Sequence, residues 1–158
     1  MTEKRKSVMV IPRCRDKILL QSFKNSNGDL VWDGFGNFYQ DNEDPESTAE
    51  AVFSEHFKTE LPPDLLKVRA QLNYLINKPD GLVDLDVTAY FADVDEDLSL
   101  PEHTNWFPID AIPYSKMHVA TGKWLPIILK KSSLLKAEIR VEQPGDHTKG
   151  IVTEFNLK

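Results

Sequence analysis

Cysteine is nearly absent from this chain: Cys14 is the only one among 158 residues. A single thiol excludes an internal disulfide, and such a chain is expected in a reducing, cytoplasmic setting. Long apolar runs are also missing. The charged opening Met-Thr-Glu-Lys-Arg-Lys-Ser leads only into the short apolar run 8–11, too brief for a signal-peptide core or a membrane span. Basic residues are outnumbered, 19 Lys and Arg against 25 Asp and Glu, giving a formal charge of −6. That balance argues against binding a nucleic-acid polymer, which needs a basic face to displace counterions. A single nucleotide stays open, because bound metal can neutralise a phosphate. Several catalytic signatures are lacking as well. Gly34-Phe35-Gly36 is not a dinucleotide fingerprint, since its third glycine would fall on Tyr39. Neither a Walker phosphate loop nor a Gly-x-Ser-x-Gly nucleophile elbow occurs.

What is present suits one soluble domain over residues 1–158, long enough to bury a full core. Residues 7–12 and 17–22 read as a strand pair joined by a turn over 13–16, and 24–29 as a loop. Residues 30–32 read as a brief strand. Asp44 is a good N-cap with Pro45 at the first helical position. Ala49, Phe53 and Phe57 recur every four residues beside Val52, so one apolar helical face follows. Pro62-Pro63 requires that helix to have ended. Residues 65–77 and 83–94 form a long hairpin around the turn Lys78-Pro79-Asp80-Gly81. A strand end over 105–109, a turn of helix over 109–113 and a helix over 121–131 come next. Ala137, Ile139 and Val141 alternate with charged residues, as a strand does. Gln143-Pro144-Gly145-Asp146 reads as a turn into a last strand with Ile151, Thr153, Phe155 and Leu157 on one face. This order does not alternate strand with helix. It predicts an α+β fold, a mixed β-sheet with helices packed on it.

The stretch 32–61 concentrates the chemistry. Moving a phosphoryl group demands charge neutralisation and a positioned water, which metal ions held by several oxygen ligands supply. Carboxylates at i, i+3 and i+4 of one helix can provide such ligands. The stretch resembles the Nudix box: glycine, five residues, glutamate, seven residues, then Arg-Glu-apolar-any-Glu-Glu-any-Gly-apolar. With Glu43 on the first glutamate, the pattern's glycine falls on Asn37, just after Gly36. Its Arg-Glu pair falls on Ala51 and Val52, its Glu-Glu pair on Glu55 and His56, and its last glycine on Lys58. Two metal-binding acids are therefore replaced, by Val52 and His56. Trp-Asp-Gly-Phe-Gly over 32–36 and the stretch Trp106 to Tyr114 are similar to oxidised-purine nucleoside triphosphatases of the MutT homologue-1 type, as are Met117, Trp124 and Pro126. The resemblance implies a Nudix-type α/β/α sandwich.

It also implies a function with a reservation built in. The chain is expected to be a divergent, MutT-like Nudix pyrophosphohydrolase, dependent on Mg or Mn if active, acting on a nucleoside di- or triphosphate or a related diphosphate. The alternative is a catalytically inactive Nudix domain that binds a nucleotide or a protein partner. Glu55 would hold metal with the Gly36 carbonyl and Glu102, or be a plain surface glutamate. His56 would be a substitute ligand or general base, or a partly buried ring filling an inherited space. Val52 has no catalytic reading and extends the apolar face. Glu43 orients the loop or caps the helix. On the substrate side the family's purine-reading asparagine is Asp33 here, and its Trp-Pro-Asp-Asp segment aligns with His118-Val119-Ala120-Thr121. Specificity for oxidised purines therefore does not carry over. Trp32 and Phe35 would stack on a base or pack in the core. His103 and His118 show no tight spacing of the kind transition metals need.

Overall fold

The computed structural model describes residues 2–144 and 150–158. Among the described residues nine strands form one mixed sheet: β1 (Thr2–Cys14), β2 (Lys17–Lys24), β3 (Leu30–Asp33), β4 (Phe35–Tyr39), β5 (Leu66–Lys78), β6 (Gly81–Asp93), β7 (Thr104–Pro108), β8 (Leu135–Glu142) and β9 (Ile151–Leu157). The main path runs β3-β2-β1-β6-β5-β8-β9, with β4 paired to β1 and β7 to β2. β1 runs parallel to β6 and β5 parallel to β8, while the remaining pairings are antiparallel. Helix α1 (Pro45–Phe57) and helix α2 (Thr121–Lys130) lie on opposite faces.

The strand period of two sorts side chains onto these faces. Val8 and Val10 of β1, Leu19 of β2 and Tyr90 of β6 pack with Ala49, Val52, Phe53 and Phe57 of α1. Ile11, Ile18 and Leu20 point the other way, with Leu72, Tyr74 and Ile76 of β5, and meet Trp124, Leu125 and Ile128 of α2. The result is two apolar cores separated by one sheet. Arg69 of β5 donates to the carbonyls of Ile128 and Lys131, meeting orphan carbonyls at the end of α2. Among the described residues, no helix is long and apolar enough to cross a membrane.

The expected helix start is present: Asp44 accepts from the Ser47 N–H at 3.2 Å, and Pro45 opens α1. The long hairpin closes through residues 79–80, with Lys78 opposite Gly81.

Four details differ from the sequence expectation. β1 begins at Thr2 rather than residue 7, because Glu3 to Lys6 carry no alternation but find backbone partners in β6. There Lys4 lies opposite Asp84 and Lys6 opposite Asp86. The sequence reading assigns no element to the glycine-rich stretch after Asp33. It forms strand β4 against β1, and a Cβ on Gly36 would stand 2.8 Å from the Val8 carbonyl oxygen. The turn of helix lies at Tyr114–Lys116, not over 109–113. Last, a register shift in the β8–β9 pair sets Arg140 opposite Glu154 but Val141 opposite Val152. This bulge at Thr153 turns Val152 and Phe155 toward the core and leaves Ile151 exposed. Gly145 and Asp146 of the expected turn lie outside the described residues.

Candidate functional site

The sequence singles out two sets of residues: Val52, Glu55 and His56 on α1, and Asp33 with His118 on the substrate side. On α1, Val52 is only 2% exposed and sits among Val8, Val10, Phe35 and Phe53. His56 is half-buried, its ring edge-on to Phe35 with centroids 4.9 Å apart. Glu55 is exposed on the same turn. Glu102 is exposed in the turn before β7. Among the described residues, no group of three or more His, Cys, Asp or Glu is arranged to hold a metal ion. Magnesium and manganese favour several oxygen ligands in near-octahedral array. The residues of this turn do not fit such an ion: one position is apolar and sealed, its neighbour is an imidazole against a ring, and one carboxylate stands in solvent. Glu43 accepts from the Gln40 N–H at 3.0 Å, so it braces the loop that leads into the helix. His103 has φ 62° and its carbonyl accepts from Ser22 N–H at 2.7 Å. It holds the β7 entry to β2, on a different part of the fold from His118.

Near Asp33 the picture is the reverse. A cavity of about 430 Å³ opens between β1 to β6 and the start of α2. Asp33, Gln21, Tyr74, His118 and Thr121 supply polar groups to its wall, while Met9, Ile76, Leu85 and Val87 supply apolar ones. Gly34, Gly36 and the half-exposed ring of Phe38 complete one side. This mixture, apolar walls with a few convergent polar groups, is what small-molecule sites present.

Each polar group is held. The Asp33 Oδ1 accepts from the Gly34 N–H at 2.8 Å. Gln21 donates from Nε2 to the Gly34 carbonyl at 3.0 Å, which leaves its amide oxygen as an acceptor. The Tyr74 hydroxyl accepts from the buried Trp124 Nε1–H at 2.6 Å. The His118 ring stacks on Tyr74, 5.6 Å between centroids and 12° between planes. Its Nδ1 accepts from the Ala120 N–H at 3.1 Å, so the proton of the neutral ring sits on Nε2. Burial pushes the Asp33 carboxyl up to about 6, and the Gly34 N–H offsets part of that. Burial also drives the Tyr74 phenol well above its ordinary value, with the nearby Asp33 charge adding to the shift. At neutral pH the wall therefore carries an ionised carboxylate and a neutral phenol.

Of the expected substrate residues, Asp33 and His118 share this cavity. Trp32 and Phe35 do not line it. Trp32 packs edge-on against Phe107, centroids 4.8 Å apart, and Phe35 is 1% exposed beneath α1. Gln21 and Tyr74 were not singled out from the sequence, and Thr121 entered only as an aligned position. Tyr74 carried one available signal: it shares the alternating face of Leu72 and Ile76 while being the polar member of that row.

No protein-family model matches the chain, and no curated protein matches it. Solved structures do. A MutT protein from Bacillus halodurans superposes with a TM-score of 0.73 at 17% identity, over 98% of this chain and 97% of that one. The chain has the Nudix fold. A Nudix hydrolase from Nitrosomonas europaea is similar at a TM-score of 0.58 and 14% identity, over 87% of this chain and 80% of the other. The E. coli ORF135 protein is similar at 0.56 and 16%, over 82% and 88%. At these identities the likeness speaks for the fold alone. Within this Nudix fold, the box register read from the sequence sets the pattern's last glycine on Lys58. Lys58 has φ 56° and its N–H bonds the Ser54 carbonyl, the left-handed helix end that glycine favours.

Proposed function

We propose that this protein binds a nucleotide or related small molecule in the cavity beside Asp33 and does not hydrolyse it through the box on α1. The burial of Val52, 2% exposed, carries the proposal. A metal-binding carboxylate at that position would have to be stripped of water among Val8, Phe35 and Phe53, a large penalty without a paired cation. Without it the turn has Glu55 as its one surviving acid. Loss of a single transition-state stabiliser commonly lowers turnover by about 10²–10³, and here two acids are gone. The cavity, by contrast, keeps oriented donors and acceptors around an open volume. Its ligand would lie between Phe38 and the His118–Tyr74 stack, with Asp33 and Gln21 reading its polar edge.

The competing reading is a divergent pyrophosphohydrolase, dependent on Mg or Mn, with Glu55 as the main ligand. It is favoured by the exposure of Glu55 on the correct turn of the helix. A panel of ordinary and oxidised nucleoside triphosphates separates the two. The binding account expects calorimetric heats of association and no pyrophosphate release above background with either metal. Release that a Glu55→Gln variant abolishes would establish the hydrolase instead.

A further inference from the structure

The sheet ends differently at its two edges. At one edge stands the four-residue strand β3, Leu-Val-Trp-Asp. At the other, β9 pairs with β8 alone among the described residues, so its outer backbone groups are open. The Lys158 N–H bonds the Lys136 carbonyl at 2.9 Å, so Lys158, Asn156 and Glu154 turn their backbone groups toward β8. Phe155 and Leu157 therefore turn theirs outward. The bulge at Thr153 breaks this alternation, which leaves residues 154–158 as the regular part of the edge. Their order is Glu-Phe-Asn-Leu-Lys. Laid antiparallel on itself about Asn156, this order sets Glu154 opposite Lys158, Phe155 opposite Leu157 and Asn156 opposite Asn156. The side chains sort to match. Glu154 and Lys158 lie on one face, beside Arg140 at 3.5 Å and Glu138 at 3.2 Å, and the Asn156 amide is 3.3 Å from Glu154. Phe155 packs on the α2 core, and Leu157, 65% exposed, lies on the same side with Ile127 and Leu135.

We infer that β9 is a self-association edge: a second copy of this chain pairs with it antiparallel through residues 154–158, about a two-fold axis at Asn156. Phe155 of each copy and Leu157 of the other exchange backbone hydrogen bonds, and the same pairing covers the exposed Leu157 side chain. Glu154 of each copy meets Lys158 of the other, so an ion pair closes each end of the ladder. Charge selects this register. Pairing centred on Glu154 would oppose two like carboxylates, and pairing centred on Phe155 would set Glu154 opposite Asn156, with no opposite charge across it. The contact is isologous and uses up the edge, so it gives a closed dimer and not a growing fibre. The opposite edge offers no such match: β3 laid on itself sets Leu30 opposite Asp33 and Val31 opposite Trp32.

Sedimentation velocity of the full chain, from micromolar to millimolar protein, tests it. Wild type is expected to move to twice the mass of one chain as concentration rises. A monomer at millimolar protein would overturn the inference, and that measurement needs no variant. Two single reversals, Glu154→Lys and Lys158→Glu, each set like charges at both ends of the pair. Each should weaken dimerisation at least about tenfold. Both positions are exposed and outside the two cores, so the fold is expected to persist. Mixed together, the two variants should form a heterodimer of wild-type affinity, because each end then joins opposite charges again. The double variant Glu154→Lys with Lys158→Glu should dimerise as wild type does, for the same reason. A dimer that neither single reversal weakens would overturn the inference, and so would single reversals that their mixture fails to rescue.

Discussion

On the α1 side of the sheet, Val52 and His56 meet Val8, Phe35 and Phe57, and side chains fill the space. On the α2 side, Asp33, Tyr74 and Thr121 stand around an open volume among Met9, Ile76 and Val87. Both faces belong to the same strands, and β1 feeds each with alternate residues. The contrast shows how separately the two halves of such a fold can change. Apolar packing on one face stabilises the sheet and removes the ligands a cation needs. Polar groups on the other face stand around an open volume and lower stability unless something binds them.

The comparison breaks most visibly at Val52. Val52→Glu should cost about 3–5 kcal/mol, since the new carboxylate would be buried without a partner. Urea unfolding measures it. A loss under about 1 kcal/mol would mean the α1 face has room and water for a charge. Tyr74→Phe tests the opposite face. It strands the Trp124 N–H that the hydroxyl now accepts, and should lower stability by about 1–3 kcal/mol. No loss in the same assay would show that the stacked wall of the cavity is not held as described.

Asp33 gives the pH test. Its carboxyl is pushed up to about 6 in the fold, against ~3.9 in an unfolded chain. A group raised in this way contributes fully below its unfolded value, and that contribution is lost as pH rises through the folded value. Asp33→Asn, which has no such titration, should therefore be more stable than wild type at pH 7.5 by about 2–3 kcal/mol, a gap that shrinks to about 0.5 kcal/mol near pH 4. Thermal unfolding at both pH values reads the difference. A gap that stays constant, or one that grows toward acid, contradicts the burial of that carboxylate. The smallest effect is at Lys58. Relieving its left-handed conformation with Lys58→Gly should stabilise α1 by roughly 0.5–1 kcal/mol. A loss instead would place the end of the box elsewhere.

Much of the scaffold was legible because it is written in local chemistry. Asp44-Pro45 marked the start of α1, residues 78–81 marked the hairpin, and Ala137, Ile139 and Val141 marked the inner face of β8. What escaped was set by partners distant in sequence. Residues 2–6 join the sheet because β6 lies beside them, and the bulge at Thr153 shifts which side chains of β9 face inward. The candidate site divides the same way. Val52 was readable as part of the apolar face of α1, and it is buried there. Asp33 and His118 were flagged through resemblance, but their meeting with Tyr74 and Gln21 depends on β2, β3, β5 and the start of α2 converging. Trp32 and Phe35 show the limit most plainly: an aromatic beside a glycine reads the same whether it stacks on a ligand or on Phe107 and α1.

The central proposal is that α1 offers no site for a divalent cation. Titration of the protein with Mn²⁺, followed by the electron paramagnetic resonance of the free ion, tests it most directly. The account predicts that the free-ion signal rises in step with added metal up to millimolar protein, for wild type and Glu55→Gln alike. Stoichiometric capture of Mn²⁺ by wild type, lost in Glu55→Gln, would contradict it.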